Sequence, residues 1–414
     1  NIRMLIHIIH LSLTFLMLWA LYKSGCRISC IQKLSFKAMV KASWLGVLAF
    51  TLNEGLRFGR GLDYNIYADH FYNRTSEWFY DEYELIFAAI VNFLKNNGCS
   101  FQWLVMLMSF MLIVSLVCFL RNFRQAAPWG LPAFALLCSQ PENIMRWYFG
   151  ASFLIIGFSF FFKEEKCKKD TIIFVFFSII SVLIHYGLVI MPIAYYLMTI
   201  PKRPLLKPWI AISLFFLIGI FFQTETMLIF TEYLNLFSLL SDRSSDYIDN
   251  IEQWLTGGSD ILTFKPFPSK PLIIVYCISV WLGYRLVKIL DLKKYTILYN
   301  IFSVGFVVLP IGNQLEIATR YQQLLFLYQF VIWGYVLKYL RFKSGILIKS
   351  KQVSIVVFLV CIGYVSWFSL QKLRTQEYYQ LYIWNSNGRK FLDLNKTYYK
   401  DLWLSLIHIS EPTR

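Results

Sequence analysis

Long apolar runs interrupted by short basic clusters set the pattern of this chain. The runs fall near residues 4–22, 38–53, 101–120, 128–140, 147–162, 171–199, 208–222, 271–288, 295–312, 321–338 and 352–370. About 18–22 residues of helix cross the roughly 30 Å hydrocarbon layer of a bilayer, and the runs recur near that length from end to end. The run 171–199 is too long for one ordinary span. It contains His185, Tyr186, Gly187 and Pro192, which predicts two helices meeting near His185 at one membrane face. The pattern predicts an all-α, polytopic membrane protein of about 11–12 transmembrane helices.

Basic residues give the orientation. Lys23, Arg27, Lys33, Lys37 and Lys41 lie together without an acid, as do Lys338, Arg341, Lys343, Lys349 and Lys351. Short loops of this kind stay on the cytoplasmic side. Walking the spans from there puts Arg121 with Arg124, Lys163 to Lys169, Lys202 to Lys207 and Arg285 to Lys294 inside as well. Two outer loops, 54–100 and 223–270, then hold most of the acids. Within the first, residues 82–95 (EYELIFAAIVNFLK) place apolar side chains at helical spacing between polar ends, which predicts an amphipathic helix on the outer face. Residues 226–240 read similarly, and 241–270, rich in Ser, Asp, Gly and Pro, reads as a lid or a connector.

Composition narrows the class. Of 414 residues, 57% are apolar and 15% charged, and the mean hydropathy is +0.52, so charges are too few to clothe a soluble surface of this size. The formal charge of +16 is scattered between apolar spans, which argues for membrane topology and against nucleic acid. The eight cysteines form no CxxC pair and the five histidines no ligand-spaced cluster, so neither disulfide, metal nor cofactor is expected. P-loop, HExxH, GxSxG and DxD-like sugar-nucleotide patterns are absent in any convincing context. The abundant Phe, Tyr and Trp suit interfacial belts and grooves that stack on lipid tails or sugar rings, with lipid-facing filler as the plainer account.

Four constellations carry candidate chemistry. Leu56 to Tyr67 (LRFGRGLDYNIY) packs Arg57, Arg60, Asp63 and Tyr67 among glycines. On a helical turn, Arg57 and Arg60 would aim the same way, and guanidinium forks match phosphate oxygens; an interfacial loop with Arg and Asp paired is the competing reading. Arg146, in ENIMRWYFGAS, stands at the outer start of a span and wants a partner or cavity, unless it snorkels. His185 sits deep in apolar sequence as a candidate base, hydroxyl-orienting group or phosphate ligand, or as a buried hydrogen-bonded residue. In NQLEIATRYQQ, Glu316 and Arg320 are an ion-pair spacing apart beside Tyr321, which offers either a structural pair or a further phosphate arginine. Topology, derived from lysines elsewhere, puts all of these arginines and His185 on one face.

Taken in order, these residues resemble the EpsG family, the Wzy-like polymerases of bacterial exopolysaccharide and capsule synthesis. RFGRGLDYNIY resembles the family's stretch after the second span. Glu84 with Phe87, Arg146 with its small-residue helix, His185, and Glu316 with Arg320 and Tyr321 follow, so the resemblance covers nearly the whole span order. It implies a glycosyltransferase-C-like fold acting on undecaprenyl-diphosphate-linked oligosaccharide repeats at the outer face of the bacterial cytoplasmic membrane. Neither sugar nucleotide nor metal is implied, and membrane lipids and other polysaccharide-assembly proteins are implied partners. In that reading Arg57, Arg60, Tyr67, Glu84, Arg146, Glu316, Arg320 and Tyr321 bind substrate, and Asp63 or His185 takes the proton from the acceptor hydroxyl. A flippase for lipid-linked oligosaccharide and an O-antigen-ligase-like transferase are the alternatives; charges gathered at one face favour the polymerase over transport. Residues 1–404 read as one membrane domain. The chain begins at Asn1, which suggests a missing initiator, and SLIHISEPTR at 405–414 reads as a non-native tail.

Overall fold

The computed structural model describes residues 2–58, 62–137, 144–162, 167–222, 266–314 and 316–342, together with positions 348, 352, 356, 363, 380 and 381. Their regular structure is helical, apart from one two-residue antiparallel pairing. In chain order the elements are α1 (Ile2–Ser29), α2 (Phe36–Gly55), β1 (Arg57–Phe58), α3 (Leu62–Asn73), α4 (Ser76–Glu82), α5 (Leu85–Asn96), α6 (Phe101–Leu120), α7 (Ala127–Leu137), α8 (Met145–Phe161), α9 (Lys168–Ile184), α10 (Ile190–Met198), α11 (Pro208–Phe221), α12 (Lys270–Leu290), α13 (Lys293–Val307), α14 (Leu309–Gly312), α15 (Glu316–Phe326), α16 (Gln329–Phe342) and β2 (Gln380–Leu381). Short 3-10 turns at Arg121–Ala126 and Tyr186–Val189 link α6 to α7 and lead into α10.

Local chemistry sets several boundaries. The Ser35 hydroxyl accepts the Ala38 N–H at 3.1 Å and starts α2, and Thr75 does the same for α4 through Trp78 N–H. Cys167 and Asp170 cap α9 reciprocally. The long run 171–199 breaks where the sequence predicts: α9 ends at Ile184, and His185 turns extended at φ −154°, ψ 107°. The expected helix over 82–95 is interrupted instead. α4 ends at Glu82, Tyr83 is extended, and α5 begins only at Leu85.

The residues form two compact units. The described residues of the first lie within Asn1–Leu205, Trp281–Ile301 and Leu327–Ser386, and those of the second within Leu206–Val280 and Phe302–Phe326. In the first, α6 packs between α2 and α8, α8 packs on α9, and α7 lies against α1 and α16. Small residues permit the closest approaches. Gly25 of α1 lies against the Ala127 carbonyl, and Gly334 of α16 against that of Ala126, where any Cβ would collide with backbone. Phe119, Phe158, Tyr195 and Tyr328, all fully buried, form an aromatic core, with Phe158 and Tyr195 stacked at 4.5 Å. In the second unit Phe215 stacks on Phe306 at 4.7 Å, and the Gln314 amide donates to the carbonyls of Phe222 and Pro310.

Much apolar surface stays uncovered. Val40, Trp44, Leu48 and Leu52 make an exposed stripe at four-residue spacing on α2, and Ile172, Val175, Phe176 and Ile179 make another on α9. Among the described residues, two helical stretches are long and apolar enough to cross a bilayer, Phe101–Leu137, which kinks at Phe123, and Leu272–Leu290. Shorter apolar helices are Leu85–Asn96, Met145–Phe161, Tyr186–Met198 and Pro208–Phe221. The helices are thus all-α as expected, but several are shorter than the apolar runs, because turns such as that at His185 cut them. The sequence stretches 226–240 and 405–414 and most of 241–270 and 352–370 lie outside the described residues.

Candidate functional site

Three segments far apart in sequence converge in the first unit. Glu84 occupies the N-cap position of α5 but does not cap it with its side chain. Its carboxylate reaches α8 instead, where Oε2 accepts a hydrogen bond from Arg146 Nη1 at 2.5 Å. Oε1 accepts the backbone N–H of Tyr186 at 3.1 Å and lies 3.6 Å from His185 Nδ1. The Glu84 and Arg146 side chains are 9% and 12% exposed, so each charge depends on its partner for stabilisation. The free N-terminal amides of α5 add a favourable potential for the carboxylate.

An aromatic shelf holds the guanidinium. Arg146 Cζ lies 4.7 Å from the Tyr83 ring centre and 5.8 Å from that of Phe87, one turn into α5. Tyr67 completes the shelf, 6.1 Å from Tyr83 and 6.0 Å from Phe87. Behind it, the Tyr83 hydroxyl and His70 Nδ1 share a hydrogen bond at 2.7 Å, and Trp78 packs edge-on against both rings. On the other side, the Trp147 ring meets His185 edge to face at 5.1 Å. Gly187 N–H donates to His185 Nδ1 at 3.2 Å, and a Cβ on Gly187 would sit 2.9 Å from the Trp147 ring. The sequence His185-Tyr186-Gly187 therefore ends α9, aims one amide at Glu84 and another at the imidazole.

A second feature lies next to this cluster along α8. Phe50, Glu54, Arg57, Met108, Ser109, Leu112, Phe134, Ala135, Met145, Tyr148 and Phe149 line a small open pocket. A helix turns about 100° per residue, so Met145, Tyr148 and Phe149 share the pocket face of α8. Arg146 stands between that face and the one where Trp147 meets His185. Arg57 is 4% exposed and donates from Nη1 to the Glu54 carbonyl at 2.9 Å. Its backbone is fixed by pairing with Leu381 in β2 and by Gln102, whose amide donates to the carbonyls of Gly55 and Arg57 and accepts the Tyr64 hydroxyl.

Here one sequence expectation needs correcting. Arg57 lies on extended backbone in β1, so the helical-turn geometry that would aim it with Arg60 does not apply. Arg60 lies outside the described residues. Asp63 lies in the first turn of α3, and Glu316 begins α15. Arg320 and Tyr321 belong to α15 in the second unit, where Gln322 ties that helix to the Gly305 carbonyl at 3.0 Å. Glu84, Arg146, His185 and Tyr67 are the predicted residues brought together. His70, Trp78, Tyr83, Gln102 and Trp147 were not singled out from sequence; Gln102, a lone amide at the start of the 101–120 run, offered the clearest signal.

The model of one protein family, described as the EpsG family, matches residues 44–383 of the chain. No curated protein and no solved structure matches it.

Proposed function

The chain belongs to the EpsG family of polysaccharide-polymerase-type membrane proteins, and from that premise we propose that it joins oligosaccharide repeats carried on undecaprenyl diphosphate at the outer face of the cytoplasmic membrane. Its products would enter exopolysaccharide, capsule or O-antigen. The observation that carries this reading is the buried contact of Glu84, Arg146 and His185 beside a pocket lined by Arg57. The exposed apolar stripes on α2 and α9 support a multi-pass arrangement in which those faces meet lipid.

A polyprenyl diphosphate carries its own leaving group, so the protein must hold the diphosphate and place an acceptor hydroxyl. In this mechanism, Arg57 or Arg60 with Arg146 neutralises the charge that grows on the departing diphosphate, and Arg320 of the second unit is a further candidate phosphate arginine. Asp63 or His185 takes the proton from the acceptor hydroxyl as its oxygen bonds to the anomeric carbon and the bond from that carbon to the diphosphate breaks. Tyr67, Glu84, Glu316 and Tyr321 position these groups and the sugars. No step calls on a sugar nucleotide or a metal.

The test uses purified protein with lipid-linked repeats, in detergent for elongation and reconstituted in vesicles for transport. Elongation to longer glycans supports the reading, whereas unchanged substrate, or movement of substrate across vesicles without a new bond, rejects it in favour of transport. In cells, Arg146→Ala, Arg320→Ala and His185→Ala should each abolish long polymer; normal polymer in all three would remove these residues from the mechanism.

A further inference from the structure

We infer that Glu84 is a positioning residue that arms His185 only when a diphosphate has taken over Arg146; this rests on the polymerase reading above. The starting geometry shows why His185 is not yet a base. Gly187 N–H donates to Nδ1 at 3.2 Å, so that nitrogen presents its lone pair, and the neutral ring carries its proton on Nε2. An Nε2–H group donates a hydrogen bond and cannot accept a proton from a hydroxyl.

The other tautomer has a waiting acceptor. Glu84 Oε1 lies 3.6 Å from Nδ1, beyond hydrogen-bonding distance, while Oε2 is held at 2.5 Å by Arg146. Arg146 therefore anchors the carboxylate away from the imidazole. A guanidinium fork also matches a diphosphate. When diphosphate oxygens engage Arg146, the tether on Glu84 is lost, and a shift of under about 1 Å brings Oε1 to hydrogen-bonding distance of Nδ1. The ring then moves its proton from Nε2 to Nδ1 through solvent, exchanging the bond Nδ1 accepted from Gly187 N–H for one it donates to Glu84, with no net change in charge.

The sequence of bonds follows. Nε2, now bearing a lone pair, takes the acceptor hydroxyl's proton while that oxygen bonds to the anomeric carbon. The bond from this carbon to the diphosphate breaks, and the electron pair leaves with undecaprenyl diphosphate. Glu84 stabilises the imidazolium until His185 returns its proton to solvent. Linking the base to donor capture keeps the site from activating a hydroxyl, water included, before the lipid-linked donor is seated.

The experiment uses the full chain in lipid nanodiscs, labelled with nitrogen-15 at the histidine rings, with His185 signals identified by their loss in His185→Gln. The expected spectrum shows Nε2–H in the free protein and Nδ1–H after addition of undecaprenyl diphosphate. Glu84→Gln should bind undecaprenyl diphosphate at least as tightly as the unaltered protein, because Arg146 no longer has a competing carboxylate, and should elongate about 100-fold more slowly. A tautomer unchanged by undecaprenyl diphosphate overturns the inference, as does a monodisperse Glu84→Gln protein that loses binding and turnover in equal proportion. If Glu84→Gln does not fold, the spectra of the unaltered protein decide. Elongation without a tautomer change sinks this inference alone, whereas a tautomer change without elongation sinks the polymerase reading.

Discussion

Glu84 and Arg146 stand 62 residues apart in sequence and 2.5 Å apart in space. Breaking such a nearly enclosed pair from one side strands the other charge, at a cost of about 3–5 kcal/mol. Glu84→Ala and Arg146→Ala should each lower stability by that amount in thermal or denaturant unfolding in detergent. The double variant should lose clearly less than the sum, because neither charge is then left alone. Strict additivity would mean that the two groups do not depend on each other.

Gly187 has no room for a side chain. A Cβ there would meet the Trp147 ring at 2.9 Å and His185 Cε1 at 3.2 Å. Gly187→Ala should cost about 1–3 kcal/mol from overpacking and turn the imidazole away from Glu84. The expected result is a lowered melting temperature together with shortened polymer; full activity in this variant would show that the ring's placement does not matter.

Gln102 holds the turn that carries Arg57. Its amide serves the carbonyls of Gly55 and Arg57, and its oxygen accepts the Tyr64 hydroxyl at 3.0 Å. Gln102→Leu strands these buried groups and should destabilise the protein by about 1–3 kcal/mol. If Arg57 engages the diphosphate, KM for the lipid-linked donor rises more than kcat falls. Steady-state kinetics distinguish this from a uniform loss of active protein.

Gly334 tests the packing that steadies α7. A Cβ at this position would lie 2.9 Å from the Ala126 Cβ and closer still to the Ala126 carbonyl oxygen, which is backbone and cannot swing aside. Gly334→Val should therefore exceed the about 1–3 kcal/mol usual for overpacked cores and reduce the yield of monodisperse protein. A normal yield and melting temperature would mean that α7 and α16 separate easily.

The helical architecture and the break at His185 were readable from sequence because both rest on local signals, apolar run length and a polar-Gly insertion. Arg146 and His185 stood out because charge and imidazole are costly in apolar surroundings. Their partnership with Glu84 was not readable. The acid lies in another segment, inside what looked like one continuous amphipathic helix, and only the break at Tyr83 frees it to face α8 and His185. Tyr83 and Trp78 were hidden for a different reason: in a chain this rich in aromatics, a shelf under a guanidinium looks like any other lipid-facing ring. The extended backbone at Arg57 depends on pairing with Leu381, more than three hundred residues downstream, which no local pattern reveals.

The hollow beside Arg57 is open to its surroundings and is walled by α2, α6, α7 and α8. On the polymerase reading, so small a hollow would meet only the sugar ends that react, while the rest of a growing glycan would trail into the surroundings. The enzyme would then inspect the junction being made and stay blind to how many units have already been added. Counting would fall to a separate ruler acting on the emerging strand.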